Sequence, residues 1–192
     1  MAVIFTRTLD TNVTGWLGFS LRTMANSLTA GGDQASVRFV AATAGNSMIV
    51  DHCSIGILGT ETFPNMAATD RAGRTQPIEL LFSGVSGFNA GIGTTINSDF
   101  ANISYYSSDS LVVVIDFSTT AATDTRVQNP GSPVSQFKAS TTSYNTATVT
   151  GFGAGTAFSG LNQIENVLYQ PGLDDLNLLL PSVYGRSKIS GY

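Results

Sequence analysis

Charge, lysine, histidine and cysteine are all scarce in this chain of 192 residues. Asp, Glu, Lys and Arg make up 11% of it, against about 25% in an average soluble domain. Nine basic and thirteen acidic residues leave a net charge of -4. Lys138 and Lys188 are the two lysines, and the arginines are scattered rather than clustered. Binding along a phosphate backbone draws its affinity from many cations that release counterions, so a nucleic-acid partner is excluded. An anionic membrane surface is disfavoured for the same reason. No stretch approaches the roughly 20 apolar residues of a membrane span, which excludes membrane insertion by a helix. Cys53 is the one cysteine, so neither an intrachain disulfide nor a thiolate metal cluster can form. Before Arg7 and Asp10 there is no basic leader and no long apolar run, and the expectation is a chain without a signal peptide, made in the cytoplasm.

What is present is glycine, 20 residues, among Ser, Thr, Asn, Ala and β-branched or aromatic side chains. This composition suits strands joined by turns and excludes coiled coils and helical bundles. Alternation predicts strands over residues 3–9, with Val3, Phe5 and Leu9 on one face, and over 36–43. Residues 48–58 form the next strand, with Ile49, Cys53, Ile55 and Ile57 sharing a face and Asp51 the exception. The Ala44-Gly45-Asn46 turn between these last two segments reads as a hairpin. Residues 15–29 fit a helical stripe or a strand face, and the bracketing glycines favour a strand.

Residues 59–76 hold Gly59, Pro64, Asp70, Arg71, Gly73 and Arg74 with little periodicity. They read as a long excursion, a kind of loop that is often functional. Further strands are expected at 78–82, 96–103, 134–139, 144–152 and 164–169, with 118–136 a loop. The strongest β signal is 111–117. There Leu111, Val113, Ile115 and Phe117 face one way and Val112 and Val114 the other, so both faces need cover, in a central strand or at a seam between subunits. The sum is an all-β protein, an antiparallel β-sandwich of jelly-roll type. It is expected as a single domain over 1–192, with residues 172–192 a C-terminal extension packing on a neighbour.

Candidate chemistry is thin, and neither a catalytic set nor a cofactor is expected. His52 is flanked by Asp51 and Cys53, but adjacent residues on a strand point to opposite faces, so a local triad cannot form. No Gly-x-Ser-x-Gly elbow occurs, and Gly87, Gly91 and Gly93 lack the Lys-Ser/Thr of a phosphate loop. Glu61 with Asp70, Asp109 with Asp116, and Asp174-Asp175 are loose carboxylate pairs; hydrolysis of a glycoside needs two carboxyls facing across a cleft about 5 to 9 Å apart. Asp174 and Asp175 could also supply hard oxygen ligands to calcium. Aromatic side chains are more informative. A sugar offers an apolar C–H face to an aromatic ring, and Trp16, Tyr105 and Tyr106 all stand in polar, glycine- or serine-rich surroundings. Trp16 is either such a platform or an anchor in the core. Of Tyr105 and Tyr106, adjacent on a strand, one points in and one out.

Five segments, taken in order, carry a resemblance. They are Val37-Arg38-Phe39; Met48-Ile49-Val50-Asp51 with Ser54-Ile55-Gly56; Pro77-Ile78-Glu79-Leu80-Leu81-Phe82-Ser83-Gly84; Ile92 with Ser98-Asp99; and Leu111-Val112-Val113. The order resembles small β-sandwich domains of phage, prophage and gene-transfer-particle fibres, spikes and tail-associated structural proteins, over residues 3–117. The resemblance implies a virion structural protein that forms or decorates an external appendage and contributes to attachment at the host surface. Its partners would be copies of itself, other virion proteins and cell-surface polysaccharide. The alternative is a carbohydrate-binding module without catalysis. No catalytic residue carries over, because the shared positions are core and turn residues.

Overall fold

The computed structural model describes residues 1–127, 135–139, 142–155 and 160–167. In chain order the strands are β1 (Ala2–Thr6), β2 (Thr11–Trp16), β3 (Phe19–Ala25), β4 (Gly32–Val40), β5 (Met48–Ile57), β6 (Ile78–Glu79), β7 (Leu81–Phe82) and β8 (Val85–Ser86). They continue with β9 (Phe88–Ala90), β10 (Thr95–Asn97), β11 (Ala101–Tyr105), β12 (Leu111–Phe117), β13 (Thr123–Val127), β14 (Ser135–Ala139), β15 (Gly153–Gly155) and β16 (Leu161–Val167). Every strand pair is antiparallel. One sheet runs β1-β16-β4-β10, with β11 also on β4; the other runs β15-β14-β3-β12-β5-β6, with β9 also on β5. Two short pairs, β2 with β13 and β7 with β8, stand apart. The all-β antiparallel sandwich expected from the sequence is present.

The core lies between the sheets. Ile4, Val37, Phe39, Ile103 and Ile164 enter it from the first sheet, and Leu21, Cys53, Ile55, Val113 and Ile115 from the second. Burying each large aliphatic side chain is worth about 1.5–3 kcal/mol. All seven residues of β12 are buried. It sits centrally between β3 and β5, and its second face, through Val112 and Val114, packs under Met66 with Leu58, Phe63, Tyr144 and Ala147 alongside. The long excursion at 59–76 and the segment at 142–152 are what cover that outer face.

Several expectations are corrected. Residues 36–43 and 48–58 do not form a hairpin, since β4 and β5 lie in different sheets. The turn between them crosses the sandwich, with Ala41 and Ala42 buried. Asp124 fixes the crossing, its carboxylate accepting the Asn46 N–H at 2.6 Å and the Gly15 N–H at 2.9 Å. Residues 144–152 are not a strand either; the Thr146 and Ala147 carbonyls accept from the side chain of Arg22 rather than from a neighbouring strand. Within 118–136, expected as a loop, Thr123–Val127 pairs with β2. Residues 96–103 split into β10 and β11, because Ser98 breaks the strand and its hydroxyl takes the Val37 N–H at 3.0 Å. The 78–82 strand also divides, into β6 and β7, yet Leu80 and Phe82 face inward as expected.

The first expected face holds in part: Phe5 packs against the core and Leu9 is buried, but Val3 is exposed and Ile4 enters the core where the register against β16 shifts between Val3 and Phe5. Residues 15–29 contain strand, as expected, in β3 and the end of β2. The 172–192 extension and residues 168–169 of the last expected strand lie outside the described residues.

Candidate functional site

Of the three aromatic candidates, two are buried. Trp16 is 6% exposed. It stacks on Phe117 at 5.3 Å and meets Phe19 and Phe137 edge-on at 5.2 and 5.9 Å, which makes it an anchor rather than a surface platform. Tyr105 is 2% exposed, at the end of β11, and burial pushes its hydroxyl up to about 12. Tyr106, the next residue, is 60% exposed. The in-and-out alternation read from the sequence is present, and it leaves Tyr106 as the accessible ring.

Tyr106 stands at the edge of a pocket of about 360 Å³ lined by Gly31, Gly32 and Asp33 from the start of β4 and by Ser104, Tyr105 and Tyr106 from the end of β11. The two strands meet here through Gly32 and Tyr105, and the register shifts between Asn102 and Tyr105. A bulge of this kind re-aims side chains at a strand end. Glycine is required at position 31, since a Cβ there would sit 2.7 Å from the Tyr105 carbonyl oxygen.

The wall behind Tyr106 comes from the long excursion. Asp70 accepts N–H bonds from Ala72 and Arg74, both at 2.9 Å, and from Ser104 at 2.8 Å, and it pairs with the Arg74 guanidinium at 2.7 Å. Burial alone would raise the Asp70 carboxyl; these bonds overcome it and hold the group below its ordinary value. The Arg71 N–H bonds the Ser104 carbonyl at 3.0 Å, tying the loop to β11. The Arg71 guanidinium grips the Asp109 carboxylate through Nε, at 3.0 Å, and through Nη2, and it lies over the Tyr106 ring at 5.2 Å. Asp109 also accepts the Tyr106 N–H at 2.8 Å. Burial opposes ionisation of Asp109, but Arg71 and that N–H prevail and hold its carboxyl low. The exposed ring is therefore backed by an ion pair and by two loops whose backbones are pinned by aspartates.

The remaining candidates do not converge. His52 Nδ1 lies 3.3 Å from Glu79 Oε1, and its ring stacks on Tyr144 at 4.0 Å. Ser86 donates to that same carboxylate oxygen at 2.7 Å. Asp51 is engaged instead by the Thr119 N–H at 3.2 Å, and Cys53 points into the core, where burial raises its thiol well above the ordinary value. Asp109 and Asp116 stand at opposite ends of β12; Asp116 is buried and takes the N–H groups of Ser143 and Tyr144 at 2.8 and 2.9 Å. Asp70 is held by Ala72 and Arg74 of its own loop and by Ser104 of β11. Asp174 and Asp175 lie outside the described residues. Among the described residues no three of His, Cys, Asp and Glu come together as a metal site.

Arg71, Asp109 and Asp33 are the site residues that sequence reasoning did not bring together. The one available signal was the charge content of the aperiodic 59–76 excursion. No protein-family model matches the chain, and no curated protein matches it.

Proposed function

We propose that the chain is a structural subunit of a virion's external appendage (a head spike, fibre or tail-associated part) that contributes to host attachment by holding cell-surface polysaccharide in the Tyr106 pocket, without catalysis. The observation that carries this reading is an exposed tyrosine ring at the lip of a pocket whose walls are fixed in advance. A pyranose presents an apolar C–H face to such a ring and hydroxyls to the polar groups beside it. Because Asp70 and Asp109 already pin the flanking loops, little ordering entropy remains to be lost on binding. The low charge content supports the assembly half of the proposal, since a surface with few charges is better suited to a crowded interface than to a free monomer.

Retention on a panel of immobilised cell-surface polysaccharides tests the binding half. The wild-type chain should be retained by at least one, and Tyr106→Ala should weaken that binding at least tenfold, about 1.4 kcal/mol, with its thermal midpoint unchanged. Failure of every polysaccharide to retain the wild type would remove the reading. Light scattering separates the appendage subunit from a carbohydrate-binding module that acts away from a particle. Oligomers, or attachment to particles, support the first; a monomer at high concentration that binds glycan but no particle supports the second.

A further inference from the structure

We infer that the Tyr106 pocket selects uncharged saccharides and discriminates against those bearing carboxylate or sulfate groups. This rests on the binding reading above and names the class of ligand. An arginine beside an aromatic ring would ordinarily suggest the opposite, a clamp for acidic sugars, since guanidinium matches carboxylate and sulfate geometry. Here Arg71 already has its anion. Its Nε and Nη2 both donate to Asp109, so that edge of the guanidinium is taken, and the residues that line the pocket include no cation. The Asp109 side chain is 4% exposed, so a ligand in the pocket cannot readily displace it.

Asp33 decides the sign of what remains. It lines the pocket beside Gly32, half-buried, and forms no ion pair among the described residues. Arg71 and Asp109 cancel, and the Asp33 charge is left over. A second anion brought within about 6 Å of it at an effective dielectric of about 40 is weakened about tenfold. A neutral sugar meets the same group differently. Its two carboxylate oxygens can accept a pair of hydroxyls, and charge-assisted bonds of that kind are about twice as strong as neutral ones. The Tyr106 ring then takes the C–H face. The neighbouring Asp70–Arg74 pair is also internally matched and adds no free cation.

Calorimetric titration at low salt with a neutral hexose oligomer and a uronic-acid oligomer of equal length tests this. The neutral oligomer should bind the wild type at least tenfold more tightly. Asp33→Asn should weaken the neutral oligomer severalfold and narrow the gap. Asp109→Asn, which frees Arg71, should raise affinity for the acidic oligomer; if that variant unfolds, Asp33→Asn alone decides. Equal or tighter binding of the acidic oligomer by the wild type overturns the inference while leaving the polysaccharide reading intact, as does an Asp33→Asn variant with both affinities unchanged. Binding of neither oligomer, together with an empty polysaccharide panel, overturns both.

Discussion

The guanidinium of Arg22 is fully buried on the outer face of the second sheet, and backbone carbonyls surround it. It donates to Pro64 and Ala147 at 3.0 and 3.1 Å, to Ser143 at 3.0 Å, and to Thr146. Burial lowers its pKa to about 10, partly offset by the Asp116 charge, so the group stays cationic at neutral pH. One side chain thus supplies the donors that a neighbouring strand would otherwise give to residues 143–147. Removing it strands several buried acceptors at once, each costing about 1–3 kcal/mol. Arg22→Met is therefore expected to lose about 3–5 kcal/mol in urea unfolding. Arg22→Lys should fall between, because an ammonium cannot reach all four carbonyls. A loss under about 1 kcal/mol for the methionine variant would contradict this role. The sequence marks Arg22 only as a charge amid apolar neighbours. What it points at comes from segments more than forty residues away.

Among the elements, β5 shows how a bulge corrects a pattern that alternation alone misreads. Strict alternation puts Ile49 with Cys53, Ile55 and Ile57, and leaves Met48 and Val50 with His52. In the fold, Met48 and Val50 join the core with Cys53, Ile55 and Ile57. The register against β12 shifts at this point, Asp116 facing His52 and Phe117 facing Val50, so Asp51 is the extra residue and the faces exchange there. Asp51 interrupts the apolar face in the sequence because the face changes at that residue. Gly87 packs against the bulge: a Cβ there would lie 2.4 Å from the carbonyl oxygens of Val50 and Asp51, and its φ of +67° already disfavours any other residue. Gly87→Ala should destabilise the protein by at least about 2 kcal/mol, read from the urea midpoint. Gly84→Ala, at φ +81° with open space around it, should cost less and serves as the control for backbone strain alone.

At the scale of the whole molecule, the scarce acids act as loop clamps. Asp51, Asp70, Asp99, Asp109, Asp116 and Asp124 each accept N–H bonds from a turn or crossing segment. Folding lowers the Asp70 and Asp109 pKa values, so these groups bind protons less readily folded than unfolded. Their contribution is full above the ordinary carboxylate value, near pH 4, and is lost as pH falls through the lower folded values. Asp116 runs the other way. Burial raises it despite bonds from Ser20, Tyr144 and Ser143, so its ionisation removes stability as pH rises through its folded value. Urea midpoints measured from pH 6 down to pH 2 should fall for the wild type, and fall less steeply for Asp70→Asn and Asp109→Asn. An unchanged slope in both variants would mean that other groups govern acid unfolding.

By itself the sequence determined the β class, the need of residues 111–117 for cover on both faces and the opposed directions of Tyr105 and Tyr106. Each follows from local pattern, alternation or an unbroken apolar run, which needs no partner to be named. The tertiary structure alone decided that residues 41–47 cross between sheets, that 142–152 lies as a strap over Arg22, and that Arg71 stands over Tyr106 with Asp109 holding it. Those outcomes depend on side chains reaching across dozens of residues to satisfy backbone groups. Short-range pattern carries no record of which distant donor meets which acceptor.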